Sequence, residues 1–184
     1  MRRRALRLLV LAAAGLVVTV PSNALAQSAP VRGTALRDEL LRDWRDMQAT
    51  LHALAEAMPE SEYAFRPTPA QRTFGQQVVH VATANVLNLA FLGGGAMPPA
   101  IDRTATDRAR AMATMDASFA YGAALLAAQT DATLADVVQT NAFLGPSSRA
   151  RVVYFLLGHS WDIYGQMVVY LRLRGGTPPA SARP

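Results

Sequence analysis

Three histidines carry most of the ligand chemistry open to this 184-residue chain, which has no cysteine. His80 falls on the stripe Gln76, His80, Ala84, Leu87 and Phe91, and His159 on the stripe Val152, Leu156, His159, Ile163, Gln166 and Tyr170. Both stripes have helical spacing, so each histidine projects from the inward face of its own helix. Facing helices of a bundle present such side chains to a common interior point, where imidazoles suit Zn, Ni, Cu or Fe. A catalytic centre takes three protein ligands and keeps one position open for water or substrate. The alternative is a pair of buried neutral histidines, satisfied by hydrogen bonds to each other, to backbone or to water. His52 neighbours Leu51 off the stripe of its helix and is expected to face solvent or an interface.

A third donor is harder to find. Asp162 follows His159 by three residues, the spacing of carboxylate and histidine pairs on one helix face, and it is equally suited to a solvated surface. Asp116 and Glu39 belong to other helices, and spacing does not place them. One turn after His159 the inward face carries Ile163, which cannot ligate. The stretch "GHSWD" has a superficial likeness to a Gly-x-Ser-x-Gly elbow, but it lies mid-helix and ends in aspartate, so Ser160 is expected to be structural.

Four helices must position these groups. The first is expected over about 34–58, with the seam Leu40, Trp44, Met47, Leu51, Leu54 and Met58 spaced 4-3-4-3-4. Pro59 and a proline-bearing segment end it. The second begins at Thr73 or Phe74 and continues to about Leu92. Thr73 and Gln76 are in capping-box register, and the apolar residues nearly encircle this helix, so it should be the most buried. The third, about Thr106 to Gln129, carries Met112, Met115, Phe119, Ala123 and Leu126 on one stripe. The last is capped by Ser147 or Ser148 and ends near Arg174, before "GGTPP". Between them, 130–145 reads as a connection in which "TLADVV" suits either helix or strand. The fold class expected is all-α, an antiparallel four-helix bundle.

The chain opens with four arginines among its first seven residues, an uncharged run from Leu8 to Val20, and Ala24 and Ala26, the order of a secretory signal peptide. That run is short of the roughly 20 residues that span a bilayer. The expected organisation is therefore a leader over 1–26, a tether over 27–33 and one helical domain over 34–180, in a periplasmic or secreted protein without a stable membrane span. Loss of the leader lowers the net charge from +5 to +1, which leaves no basic stripe for nucleic acid. Without disulfides the mature domain depends on its apolar core.

Two blocks, "FRPTPAQRTFGQQVVHVATAN" over 65–85 and "HSWDIYGQMVVYLRLRGGTPP" over 159–179, resemble the DinB-like (damage-inducible) superfamily, which includes thiol-dependent transferases. The resemblance runs from about Arg37 to Pro179. It implies a four-helix bundle, often a homodimer, with a divalent metal such as Zn, Ni or Mn held by three histidines at one end. One comes from the second helix, matched by His80. The other two form a His-x-x-x-His pair on the last helix, where His159 matches the first and Ile163 stands at the place of the second. The leading expectation is an exported DinB-like protein of unassigned role with a reduced or lost metal site. Its rivals are a metal-dependent transferase or hydrolase using His80, His159 and Asp162, and a non-catalytic bundle that closes on a small molecule between Phe91, Trp161 and Tyr164.

Overall fold

The computed structural model describes residues 34–182, so the leader and tether expected over 1–33 lie outside the described residues. Four long helices, α1 (Ala35–Ala57), α2 (Phe74–Leu89), α3 (Arg108–Ala127) and α5 (Arg149–Leu173), are joined by a short α4 (Asp131–Ala135). Among the described residues no helix is long and apolar enough to cross a membrane.

Each element follows from local chemistry. The seam of α1 is buried along its whole length, from Leu40 to Met58. Met58 then turns to extended backbone, as the clash with the following proline ring requires. The α2 N-terminus has the full capping box: Thr73 Oγ1 accepts from the Gln76 backbone amide at 3.2 Å, and the Thr73 amide donates to Gln76 Oε1 at 2.8 Å. A single 3-10 turn over Ala90–Leu92 closes α2, and Gly93 leaves it at φ 66, a left-handed conformation that glycine adopts without strain. Asp107 caps α3, and Ser148 caps α5. The ambiguous "TLADVV" is both things in turn. Its first residues complete α4, while Val137 and Val138 form β1, which pairs antiparallel with β2 (Ser147–Ser148).

The helices stand at the corners of a square in the order α1, α3, α2, α5, with α1 and α2 across one diagonal. Paired residues give their directions. Trp44 with Phe119 and His52 with Asp116 set α1 antiparallel to α3. Leu92 with Arg149, His80 with His159 and Arg72 with Tyr170 set α2 antiparallel to α5. The remaining two contacts run parallel: Gly75 meets Thr106 and Asn85 meets Ser118 between α2 and α3, while Met47 lies beside Leu157 and Ala53 beside Tyr164 between α1 and α5. The expected bundle is present, with antiparallel pairing in two of its four contacts. The reason is the 90–107 connection, which is long enough to return the chain along the whole of α2, about 24 Å at 1.5 Å per residue.

The core fills the centre of this square. Trp44 is buried with its indole N–H donating to the Phe119 carbonyl at 2.9 Å, and its ring packs on Phe119 at 4.8 Å between centroids. Gly122 makes room for that indole, since a Cβ there would lie 2.6 Å from Trp44 Cε2. Tyr63 is buried over Phe74 and donates to the Ala55 carbonyl at 2.8 Å, which ties the α1–α2 connection to the end of α1.

Candidate functional site

Antiparallel packing of α2 on α5 brings His80 and His159 together. Their rings meet edge to face, with centroids 5.0 Å apart and planes at 81°. On its other side His159 stacks on Phe155, one turn earlier in α5, at 6.3 Å and 9°. A polar ladder continues the same contact toward the α2 N-terminus. The Gln77 side-chain amide donates to Gln166 Oε1 at 2.7 Å, and Gln166 donates in turn to Asp162 Oδ2 at 3.1 Å. The Tyr170 hydroxyl donates to the Arg72 carbonyl at 3.0 Å and pins the chain just ahead of α2.

The surroundings keep both imidazoles neutral. Burial, then the Arg72 guanidinium, then His159 push the His80 pKa down to about 4. His159 is also lowered, chiefly by burial and further by Arg72, against the opposing pull of Asp162. The Nε2 atom of His159 is buried and meets no hydrogen-bond partner among the described residues. Beside His80 a cleft of about 270 Å³ opens to solvent, lined by Arg72, Gln76, Val79, His80, Thr83 and Arg103.

A family model described as the DinB superfamily matches residues 43–167, which include all four long helices in whole or part. The chain belongs to the DinB superfamily. Two solved DinB-like structures share its fold. One, from Bacillus cereus ATCC 10987, is 19% identical with a TM-score of 0.68, over 77% of this chain and 95% of that one. The other, from Bacillus subtilis, is 14% identical with a TM-score of 0.59, over 76% of this chain and 94% of that one. A comparison with curated proteins gives no match.

The metal implied by resemblance to other DinB-like proteins can be weighed against these donors. The orphaned, buried Nε2 of His159 beside a second imidazole is what a coordinating pair requires. At the position where the resemblance implies a third donor stands Ile163, buried at 2% exposure and unable to ligate. Asp162 does not replace it: this carboxylate is exposed and accepts from Gln166. Among the described residues no three of histidine, cysteine, aspartate and glutamate converge on one point. The donor set of this DinB bundle does not fit a three-ligand catalytic centre.

Other expected site residues lie elsewhere. Trp161 and Tyr164 touch edge to face at 5.4 Å, on the side of α5 that faces α1. Phe91 belongs to the far end of α2, next to the start of α5, and the three aromatic rings do not close on one pocket. His52 is half-buried between α1 and α3, with Nδ1 3.2 Å from Asp116 and Nε2 3.5 Å from Glu56. Asp116 therefore serves His52, and Glu39 is exposed on the first turns of α1. Ser160 is fully buried mid-helix with no hydrogen bond to its hydroxyl, which rules out an exposed nucleophile elbow. Arg72 and Arg103, which line the cleft with His80, carry no signal in the sequence. One precedes an N-cap and the other lies in an irregular connection, so no periodicity links them to His80.

Proposed function

We propose that this protein is an exported DinB-superfamily bundle whose divalent-metal centre is reduced to the pair His80 and His159. The observation that carries the reading is Ile163, which fills the position one turn after His159 with a buried branched alkyl side chain. The electrostatics run the same way. The Arg72 guanidinium that disfavours protonation of both imidazoles also disfavours a divalent cation between them. His80 then remains as a neutral hydrogen-bonding group in the wall of the open cleft, with His159 packed against it, and the role of the pair is binding rather than water activation.

Calorimetric titration of the secreted protein with Zn, Ni and Mn tests this. The expected affinity is no tighter than about millimolar and insensitive to His80→Ala, whereas Ile163→His raises it by several orders of magnitude. Micromolar binding by the unaltered protein, lost on His80→Ala, would restore a metal-dependent transferase or hydrolase as the better reading. Export is tested by sequencing the N-terminus of the mature protein, which should start at Gln27. An intact Met1 on cytosolic product would contradict it.

A further inference from the structure

The cleft beside His80 has a chemical character of its own. No acidic residue lines it, while two arginines do. Neither the Arg72 nor the Arg103 side chain makes a hydrogen bond or ion pair among the described residues; Arg42, Arg45 and Arg66 share that property, but of the five only Arg72 and Arg103 line this cleft. The backbone holds both in place. Arg72 is fixed from below by the Tyr170 hydroxyl on its carbonyl and by the capping turn that follows it. Arg103 is fixed by an Asx turn, in which Asp102 Oδ1 accepts from the Thr104 amide at 2.9 Å and the Thr104 hydroxyl at 2.6 Å. Arg110 occupies the other Asp102 oxygen at 3.2 Å, so the carboxylate next in sequence is already committed.

Gly75 brings the two halves together. A Cβ at this position would lie 2.8 Å from the Thr106 carbonyl oxygen, so only glycine lets the 102–106 connection approach α2 this closely. The remaining lining supplies further donors. Gln76 Oε1 is used by the Thr73 amide, and its NH₂ group is without a partner among the described residues. Thr83 donates to the Val79 carbonyl at 2.9 Å, while Val79 gives the cleft an apolar floor. Two arginines, a glutamine with a free NH₂ group and a histidine line about 270 Å³ with no acid among them.

We propose that this cleft is a binding site for a small molecule bearing a carboxylate or phosphate group, held between Arg72 and Arg103 with Gln76 and His80 completing the hydrogen bonds. Guanidinium groups match such oxyanions with paired N–H donors, and charge-assisted hydrogen bonds of this kind are the strong ones. The site goes beyond the metal reading and does not depend on it, because its affinity comes from arginines.

The test uses the whole secreted protein, freed of metal on a chelating resin and held at low salt, titrated separately with inorganic phosphate and with succinate while arginine Nε–H and glutamine side-chain NMR signals are followed. Saturable shifts of Arg72, Arg103 and Gln76 are expected with at least one probe, and the stronger probe identifies the oxyanion. Arg72→Gln and Arg103→Gln should each weaken binding about tenfold or more, and added NaCl should weaken it further. Arg103 is exposed in a connection, so its variant tests the site even where Arg72→Gln disturbs the cap. No saturation with either probe by about 50 mM, where a millimolar site would be full, overturns the proposal. Binding that the Arg103→Gln variant leaves unchanged overturns it as well. Because no metal is present, failure here leaves the reduced-metal reading standing, and a failed metal titration leaves this site standing.

Discussion

The ring of His80 meets the ring of His159 edge to face at 5.0 Å, each held neutral by burial and by the nearby Arg72. Neutrality in the fold has a consequence for acid stability. The unfolded chain takes up a proton on each histidine near pH 6.5, whereas folded His80 resists until about 4. Between those values the unfolded state binds more protons, so stability rises with pH. It is complete above about 6.5, falls as pH drops toward 4, and does not fall further on this account below that. With solvent screening allowed for at a half-buried site, the loss should be about 1 to 2 kcal/mol. Urea unfolding at pH 7.5, 6, 5 and 4 measures it, and a His80→Gln, His159→Gln double variant should flatten the slope. An equal slope in both proteins would show that other groups carry it.

Ile163→His should also change stability. Without metal it places a polar ring in a buried position with no assigned partner, at a cost of about 1 to 3 kcal/mol. Zn should recover part or all of that cost by binding only the folded form. Thermal unfolding with and without Zn reads both effects. A variant that loses stability and gains nothing from Zn would mean that residue 163 does not face the imidazole pair.

Gly122→Ala probes the closest packing between α1 and α3. The added methyl falls within the Trp44 indole, at 2.6 Å from Cε2 and 2.7 Å from Nε1, so the ring must move and its hydrogen bond to the Phe119 carbonyl must lengthen. Overpacking of this kind costs about 1 to 3 kcal/mol and outweighs the gain of up to about 1 kcal/mol from replacing a helical glycine. Denaturant unfolding should show the loss, together with a shift in tryptophan emission. Unchanged stability and emission would show that the helices separate freely.

Gly75→Ala should act at a distance on the anion cleft. The methyl meets the Thr106 carbonyl at 2.8 Å and Tyr63 Cδ1 at 3.2 Å, which moves the connection bearing Arg103 away from α2. Phosphate or succinate binding should weaken several-fold with both arginines intact. Full affinity in this variant would mean that Arg103 does not depend on that approach.

Thr73→Ala removes the side-chain half of the capping box. It should cost about 1 kcal/mol of stability, the ordinary worth of an N-cap. The Thr73 backbone amide still donates to Gln76 Oε1 in the variant, so the Gln76 side chain should keep its NH₂ group in the same orientation. Chemical denaturation gives the loss of stability, and an unshifted Gln76 side-chain NMR signal shows that the backbone half of the box survives.

Much of this molecule was legible in its residues. The seam from Leu40 to Met58, the capping box at Thr73, the stop at Pro59 and the serine cap of α5 are local, and each depends on neighbours within one or two turns. The buried stripe of His159 follows from the same periodicity, whereas His80 lies at the edge of the buried face of α2. Leu87 shows the limit of this logic: it shares the stripe of His80 and yet is 57% exposed, because the buried face of α2 runs through Val78, Val81, Ala82, Asn85 and Leu89 and leaves the His80 stripe at its edge. Helix direction was also beyond local reasoning. A connection of eighteen residues suits a return along the bundle as well as a wandering turn.

The sequence by itself determined which segments are helical, which faces are apolar and that Ile163 lies on the stripe of His159, since these depend on side-chain type and a period of 3.6 residues. Only the tertiary structure decided that α2 runs antiparallel to α5 and parallel to α3. That arrangement sets His80 against His159, separates Phe91 from Trp161 and Tyr164, and brings Arg103 across Gly75 to Arg72. Contacts between residues far apart in the chain depend on loop closure and on the packing of whole helices, which no local pattern encodes.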